Sequence, residues 1–431
     1  MSLRDALAPT PPMGWNSWDS FGMTVTEGEI EATASFMASH LSKYGWQLVV
    51  IDGGWSMRGR TTPVAGSGAV VPHDIDDYGR FIPALDRFPS AAGGVGFRAI
   101  ADYLHGRNLK FGIHVMRGIP REAVAANTPV LGTRYRARDI ANTSDTCAWS
   151  TEMYGLDMSR PGAQAYYESV VDLYSEWKVD FIKADDMTAP YHRRDVETLS
   201  RALRSFGRRE IVLSLSPGSI AFEEKDILHA LAHCELWRFS PDVWDNWDGG
   251  PKHFTTLKRQ FELCKRAAVY SGPGRWSDAD MLPIGRIGPR PPEGSDRPTQ
   301  LTKDEQITMM TLWLIARSPL FLGGHLPSLD PWTLDLLTNA EALAVNQRSW
   351  GNRVLSDDGE AVVWMANGPD ERLYLALFNL SDAPRKLEVV LHLPTQRRTL
   401  RDLWAQKDLG LVQSPLTRAL PPHGSTLLQL T

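Results

Sequence analysis

The sequence predicts an α/β protein built as a (β/α)8 TIM barrel followed by a C-terminal antiparallel β-sandwich. The first two-thirds of the chain alternates short, nearly continuous apolar runs with longer helical patterns, as expected for a parallel sheet covered by helices. After about residue 345 the helical patterns stop, and short apolar runs such as "AVVWMANG" and "RLYLALFNL" are separated by turn residues. We therefore expect a barrel domain over residues 1–345 and a sandwich domain over residues 346–431.

The predicted barrel strands are short apolar runs that end in polar or glycine-rich tips. In chain order they are "MGWNSW", "QLVVIDGGW", "LKFGIHVM", "VDFIKADDM", "EIVLSLSPG", "CELWRFSPD", "GRWSDADML" and "SPLFLGG". The helical patterns between them include "EGEIEATASFMASHLSKYG", "FRAIADYLHGRNL", "PGAQAYYESVVDLYSEWK" and "VETLSRALRSFG". Eight such units, with no GxGxxG motif after the first strand, favour a TIM barrel over an open doubly wound sheet.

Two of the predicted connections are too long for plain βα loops. They span residues 56–97 and 117–160, and each leaves the C-terminal end of a predicted strand. The active site of a TIM barrel lies at that end, so we expect both loops to form walls of a pocket.

The composition argues against several classes of partner. The 431 residues are 42% apolar and carry a net charge of −5 with no long run of one sign, which indicates no nucleic-acid or membrane-surface partner. No apolar stretch approaches the roughly 20 residues that span a bilayer. The N-terminus lacks the apolar segment of an export signal, so we expect a cytoplasmic protein unless a leader has been removed. The oligomeric state stays open.

The cysteines form no recognisable framework. Cys147, Cys234 and Cys264 are odd in number, widely spaced and without a CxxC pair. Buried free thiols are therefore expected, and neither disulfides nor a structural zinc site.

Carboxylates dominate the polar side chains at the predicted strand ends. In "IKADD", alternation along a strand turns Lys183 and Asp185 to the same side, where the ammonium group would keep Asp185 ionised, as a nucleophile requires. In "WRFSPDVWDNW", Asp242 stands among tryptophans, whose poor solvation would raise its pKa and suit a general acid, and Arg238 could bind a substrate hydroxyl. One ionised and one protonated carboxyl form the pair that glycoside hydrolysis needs.

The same residues also allow non-catalytic and metal-binding interpretations. Lys183 and Asp185 could form a surface salt bridge, and the tryptophans around Asp242 could serve only as core. Magnesium bound by oxygen ligands from Asp52, Asp185, Asp186 or Asp280 is the rival chemistry. Against a metal site, His114 is the only histidine at a predicted strand end, no HxH or HExxH motif occurs, and a lysine stands beside Asp185.

Seven motifs occur together in the order and at about the spacing of one enzyme family. They are "PPMGWNSWDSFG", "VVIDGGW", "FIKADD", "WRFSPD", "WSDADMLPIG", "SPLFLGG" and "VNQ". Over nearly its whole length the chain thus resembles glycoside hydrolase family 27, the α-galactosidases and α-N-acetylgalactosaminidases. The resemblance implies a retaining TIM-barrel enzyme with a C-terminal sandwich, a small-molecule or oligosaccharide substrate and neither a cofactor nor a metal.

The resemblance also implies roles for individual residues. Asp185 is the expected nucleophile and Asp242 the acid/base, with their carboxyls about 5 to 5.5 Å apart in a retaining enzyme. Trp18 is expected to cover the apolar face of the sugar, whereas Trp15 is expected to be buried. The full set of expected substrate-binding residues comprises Trp18, Asp52 (hydroxyls near C4 and C6), Trp55, His114, Lys183 (hydroxyls beside the nucleophile), Ser216, Arg238 (the 2-substituent), Asp280 and Met281 (the floor).

Four departures from the family pattern are visible. Gly53 replaces the second of two adjacent acids, His114 stands where the family often has tyrosine, and Met187 stands where it has a disulfide-forming cysteine. Ser216 occupies the position that is glutamate in the galactosidases and serine in the N-acetylgalactosaminidases, which would leave room for a bulkier 2-substituent.

These observations predict an exo-glycosidase that releases terminal α-galactosyl-like residues, as an α-galactosidase or an α-N-acetylgalactosaminidase. Within the family, a β-L-arabinopyranosidase or an α-glucan hydrolase is the alternative. β-L-Arabinopyranose has the ring configuration of α-galactose without the C6 group, which fits the loss of an acid at Gly53. A catalytically silent, carbohydrate-binding barrel is the alternative outside the enzymes.

Overall fold

The predicted parallel strands form one closed barrel. A computed structural model describes residues 3–59, 71–205, 209–218, 223–250, 254–391 and 398–431. The barrel strands are β1 Met13–Asn16, β2 Leu48–Ile51, β3 Lys110–Met116, β4 Phe181–Asp185, β5 Val212–Leu215, β6 Leu236–Arg238, β7 Trp276–Asp278 and β8 Leu320–Leu322. From β1 to β7 each strand pairs with the next, β8 pairs with β1, and an isolated parallel bridge from Leu282, which follows β7, to Leu322 of β8 closes the barrel. The predicted TIM barrel is confirmed.

An outer ring of helices follows the strands in alternation. Their bounds are α1 Glu27–Phe36, α2 Arg98–His105, α3 Pro161–Glu176, α4 Arg193–Ser205, α5 Glu224–His233, α6 Leu257–Ala267, α7 Lys303–Ala316, α8 Pro331–Leu337 and α9 Ala340–Arg348. Local sequence explains where they begin. Thr26 with Glu29 and Thr302 with Glu305 form capping boxes at α1 and α7, and α3 and α8 begin at a proline.

Alternate residues of each barrel strand enter two different apolar layers. In β2, Val49 and Ile51 pack in the layer between strands and helices, whereas Leu48 and Val50 pack inside the barrel. Burial on both faces explains the continuous apolar runs of the sequence. Trp15 lies in the layer outside the barrel and is fully buried, as predicted, with its indole Nε1 donating to the Gly324 carbonyl at 2.9 Å.

The two long loops carry secondary structure of their own. The loop after β3 contains the short helices Arg121–Ala126 and Ala137–Ile140 and a small sheet of Ile119–Pro120, Met153–Leu156 and Ala141–Asn142. The loop after β2 is held by bridges between Met57 and His73 and between Ile75 and Phe81. Residues 60–70 of the predicted loop 56–97 lie outside the described residues. Two further short helices are Leu3–Leu7 and Trp18–Phe21.

An antiparallel sandwich follows the barrel, as predicted. Its strands are β9 Trp350–Asp357, β10 Ala361–Asn367, β11 Leu373–Asn379, β12 Arg385–Val389, β13 Thr399–Asp402, β14 Lys407–Leu411, β15 Leu416–Leu420 and β16 Ser425–Leu430. One sheet has the order β9-β10-β11-β16-β13-β14, and β12 pairs with β15. The predicted domain boundary between residues 345 and 346 falls inside α9, so the first sandwich strand begins a few residues later.

The sandwich packs on the barrel through aromatic contacts. Phe378 meets Phe261 of α6 edge to face at 4.9 Å, and the His423 ring stacks on Trp247 at 4.0 Å. Cys147, Cys234 and Cys264 are buried free thiols, as predicted. Over the described part of the chain, the helices are all too short or too polar to cross a lipid bilayer.

Candidate active site

Polar side chains occupy the inward positions at the C-terminal ends of the barrel strands. In β4, Phe181 packs inside the barrel, while Lys183 and Asp185 are only half-buried and Ile182 and Ala184 are buried in the outer layer. The strand therefore turns Lys183 and Asp185 to the same side, as its alternation predicts. The polar side chains of the pocket form two neighbouring groups. The Asp185 side comprises Asp52, His114, Lys183 and Asp185, and the Asp242 side comprises Arg238, Asp242, Asp278 and Asp280.

On the Asp185 side, the carboxylate of Asp185 is held in its ionised form by a histidine. His114 Nε2 lies 3.1 Å from Asp185 Oδ2, and the backbone N–H of Asp186 donates to Oδ1 at 2.9 Å. Burial alone would raise the pKa of Asp185, but the hydrogen bond and charge of His114, with the charge of Lys183, lower it to about 2. In the same way, burial opposes the charge of His114, yet Asp52 and Asp185 raise its pKa.

Lys183 bonds to Asp52 and not to Asp185. Its Nζ lies 2.8 Å from Asp52 Oδ2, which also accepts from Asn16 Nδ2 at 2.6 Å, and Asp52 Oδ1 accepts from the Gly53 N–H at 2.8 Å. Asp52 is buried, and Lys183 and His114 together outweigh that burial and lower its pKa. The charge of Lys183 lowers the pKa of Asp185, as the sequence predicts, but it acts through space. The hydrogen-bond partner of Asp185 is His114, a role that the sequence did not predict.

On the Asp242 side, one arginine bridges two carboxylates. Arg238 Nη2 lies 2.7 Å from Asp242 Oδ1, and Nη1 lies 2.9 Å from Asp280 Oδ1. The Asp242 side chain is 44% exposed, against 17% for Asp185, so it lies nearer the opening of the pocket. Desolvation within the pocket, with the charges of Asp280 and Asp185, nevertheless raises the pKa of Asp242 against the effect of Arg238.

Asp278 and Asp280 are more deeply buried than Asp242. The Asp280 N–H donates to Asp278 Oδ1 at 2.9 Å, and Asp280 Oδ2 accepts from the Val243 N–H at 2.8 Å. Burial and the neighbouring Asp280 raise the pKa of Asp278 to about 7. Asp280 has φ = +77°, a conformation that is rare for a residue with a side chain and recurs at functional sites.

The pocket floor and wall contain most of the other expected binding residues. Ser216 and Met281 line one small cavity with Lys183, Arg238 and Asp280. The Ser216 hydroxyl is buried and bonds to none of the described residues. Trp18 is half-buried at the start of a short helix, and its backbone N–H donates to Asn16 Oδ1 at 2.8 Å.

Gly53 lies next to the rings of His114 and Trp18. A Cβ on Gly53 would lie 3.5 Å from the His114 ring and 3.7 Å from the Trp18 ring, which are ordinary contact distances. The family pattern has an acid at this position. A side chain here would contact His114 and Trp18, and Gly53 has none.

Trp55 is not at the pocket opening, which corrects its prediction as a substrate-binding residue. It is 3% exposed, packs edge to face on Phe97 and Trp177, and donates its indole N–H to the His114 carbonyl at 2.7 Å. Gly54, with φ = +79°, turns the chain after β2 and sends the Trp55 ring into the outer layer. Trp55 therefore supports the strand that carries His114.

Two structural partners were not predicted. Asn16 bonds to Asp52, and its inward place at the end of β1 was the signal available in the sequence. Arg117 bonds to Asp186 Oδ2 at 2.9 Å and to both oxygens of Asp145 at 2.8 Å, so it ties the long loop after β3 to the residue that follows Asp185. The sequence offered Asp186 as a possible magnesium ligand and Arg117 as a polar residue at a strand end, and it did not pair the two.

The arrangement suits acid/base and nucleophilic chemistry better than metal binding. Cationic side chains lie among the strand-end carboxylates, with Lys183 on Asp52 and Arg238 between Asp242 and Asp280. Within the described ranges, the one cluster of ligand-type side chains close enough to hold a metal ion is Glu197 with His229 and His233, on the helices outside the barrel.

Two family models match the chain, and α-galactosidases are among its relatives. The model for α-galactosidase A matches residues 151–348, and the model for the α-galactosidase C-terminal β-sandwich domain matches residues 358–430. α-Galactosidase 2 of Arabidopsis thaliana is 27% identical over 100% of this chain and 92% of its own length.

Two solved structures are more similar in sequence. A GH27 β-L-arabinopyranosidase from Geobacillus stearothermophilus, solved as an Asp→Ala variant with arabinose, is 44% identical with a TM-score of 0.94, over 100% of this chain and 99% of that one. A protein from Bacillus halodurans C-125, proposed to be an α-N-acetylgalactosaminidase, is 42% identical with a TM-score of 0.85, over 98% and 97% of the two chains.

A TIM barrel with carboxylates at its strand ends, a C-terminal sandwich and these relatives define a glycoside hydrolase. The chain belongs to glycoside hydrolase family 27.

Proposed function

We propose that the protein is a retaining exo-glycosidase that releases a terminal sugar with the ring configuration of galactose. The observation that carries the proposal is the pair Asp185 and Asp242, which project from neighbouring parts of the barrel rim with opposite pKa shifts. The pKa of Asp185 is lowered to about 2, and that of Asp242 is raised. One carboxyl is thus ready to attack and the other to donate a proton.

The proposed reaction is a double displacement. The Asp185 carboxylate attacks the anomeric carbon while Asp242 protonates the leaving glycosidic oxygen, which breaks the glycosidic bond and forms a glycosyl ester on Asp185. Asp242, now ionised, takes a proton from water, the water oxygen bonds to the anomeric carbon, and the ester bond breaks to restore Asp185. This mechanism requires the two carboxyls to lie about 5 to 5.5 Å apart in the working enzyme.

The remaining pocket residues are assigned to sugar binding. Trp18 would cover the apolar face of the ring, while Asp52 and Lys183 would bond to hydroxyls next to the nucleophile. Arg238 and Ser216 would contact the 2-position, and Met281 would form part of the floor. Lys183, Arg238, Ser216 and Met281 line one cavity, which supports their part of this assignment.

β-L-Arabinopyranosides are the proposed preferred substrates. The relative with 44% identity is a β-L-arabinopyranosidase, and Gly53 lacks the acid that would reach toward a C6 hydroxyl, which this sugar does not have. α-D-Galactosides are the second candidate, because α-galactosidases are among the curated relatives at about 27% identity.

The proposal is tested with nitrophenyl glycosides of β-L-arabinopyranose, α-D-galactose and N-acetyl-α-D-galactosamine. We expect turnover of the first two, with the larger kcat/KM for the arabinoside, and NMR should show that the first sugar released keeps its anomeric configuration. A mock purification from the same host without the expressed protein measures contaminating activity. Inversion of configuration would contradict the mechanism, and absence of turnover on the whole panel would favour a silent carbohydrate-binding barrel.

A further inference from the structure

Three side chains on the outer helices form a cluster that the proposed reaction does not use. Glu197 lies on α4, and His229 and His233 lie on α5. One potential ligand atom from each residue lies within 4.8 Å of those from the other two, and all three residues are partly exposed. We propose that this outer-helix cluster binds a zinc ion, which links α4 to α5.

The donor set is one that zinc uses. Two imidazoles and a carboxylate, with water in the fourth position, form a three-ligand zinc site. His229 and His233 are four residues apart, so both rings lie on the same face of α5, with centroids 4.5 Å apart. Partial exposure leaves a path for the ion and room for its water.

The His229–Glu197 contact marks where the ion would lie. His229 Nε2 and Glu197 Oε1 are 2.9 Å apart, so a proton is shared between two atoms that can both bind zinc. Ligand atoms of a tetrahedral zinc site are about 3.4 Å apart, given bonds of about 2.1 Å. Replacing that proton by zinc therefore requires the pair to open by about 0.5 Å and His233 to move inward by about 1.4 Å at most, which is within the reach of side-chain rotation.

A hydrogen bond from a neighbouring residue orients the His229 ring. The Tyr191 hydroxyl lies 2.6 Å from His229 Nδ1, and such a bond on the second ring nitrogen is how proteins orient a metal-binding imidazole.

Two cations near the cluster are already matched by anions. Arg193 Nη2 lies 2.9 Å from Asp226 Oδ1, and Arg4 Nε lies 3.3 Å from Glu235 Oε1. Their repulsion of a bound cation is therefore partly cancelled.

The test is a zinc titration of tag-free, full-length protein in competition with a chromogenic chelator. We expect one zinc ion per chain. His233→Ala and Glu197→Gln should each weaken binding at least about tenfold, and Tyr191→Phe should weaken it about tenfold through loss of the bond to Nδ1. His105→Ala is the matched control, since His105 also lies 2.7 Å from a carboxylate, that of Asp180, but no third ligand residue joins that pair within the described ranges.

Two further measurements keep the proposal open to refutation. Zinc should raise the Tm of the wild type and of His105→Ala, but not that of His233→Ala, because only a ligand that binds the folded state stabilises it. X-ray absorption should report about two imidazole ligands on zinc. Binding that persists unchanged in His233→Ala, or a wild type that takes up no zinc in competition with the chelator, would overturn the proposal. Glycosidase activity should be equal with and without zinc, so this test is independent of the proposed reaction.

Discussion

The Asp185 side and the Asp242 side of the pocket use the same residue types, yet the pKa of Asp185 is lowered and that of Asp242 is raised. On the Asp185 side, two carboxylates, Asp52 and Asp185, are matched by His114 and Lys183. On the Asp242 side there are three carboxyls, Asp242, Asp278 and Asp280, and among the described residues Arg238 is the one cation bonded to Asp242 and Asp280. The balance of charges around each carboxyl therefore decides whether its pKa is lowered, as for Asp185, or raised, as for Asp242.

The most damaging change on the Asp185 side should be Asp185→Asn. An amide cannot attack the anomeric carbon, so kcat should fall at least about 10⁴-fold for every leaving group. Steady-state kinetics on nitrophenyl and dinitrophenyl glycosides measure the loss. Asp370→Asn is the matched control, because Asp370 is 79% exposed in the sandwich. Residual activity within tenfold of wild type, after contamination is excluded, would remove Asp185 as nucleophile.

The corresponding change on the Asp242 side, Asp242→Asn, should have an effect that depends on the leaving group. Loss of the proton donor should lower kcat about 10² to 10⁴-fold for a poor leaving group and far less for dinitrophenolate, which departs without protonation. The ratio of the two losses is the measurement. Equal losses for both leaving groups would show that Asp242 does not act as the acid.

The electrostatic difference between the two sides can be tested by His114→Gln. Asp185 must be ionised, and its pKa of about 2 depends on His114, so wild-type kcat/KM should hold far into the acid range. Without the histidine charge, the pKa of Asp185 rises toward its ordinary value of about 3.9, and the acidic limb of the pH profile moves to higher pH.

The basic limb should respond less to His114→Gln. Asp242 must be protonated, its raised pKa depends on burial and Asp280, and kcat/KM falls as pH rises through that pKa. An acidic limb that stays in place would mean that His114 does not hold Asp185 ionised.

The sequence predicted the barrel and the positions of its polar residues because both follow from local patterns. Apolar runs mark the strands, and the alternation of "IKADD" turns Lys183 and Asp185 inward. Partners could not be predicted in this way, because they come from different strands: His114 and Asp185 are 71 residues apart, and Lys183 and Asp52 are 131 apart. The prediction for Trp55 failed for a similar reason: the backbone turn at Gly54, and not the residue type, decides where the Trp55 ring points.

The smallest expected effect is a change of substrate preference on substitution of Gly53, next to the Asp185 side. Gly53→Ala should be tolerated, because its Cβ meets only ordinary contacts with His114 and Trp18. Gly53→Asp restores the acid of the family pattern, and a hydrogen bond from a C6 hydroxyl to a carboxylate contributes about 1.5 to 3 kcal/mol. We therefore expect the kcat/KM ratio of α-galactoside to β-L-arabinopyranoside to rise about tenfold or more in Gly53→Asp and to change little in Gly53→Ala. Gly54→Ala is no substitute control, because a Cβ there would lie 2.5 Å from that of Met23. An equal change of this kcat/KM ratio in both Gly53 variants would show that lost space, and not the carboxylate, causes the effect. No change in either variant would show that residue 53 does not determine which sugar is preferred.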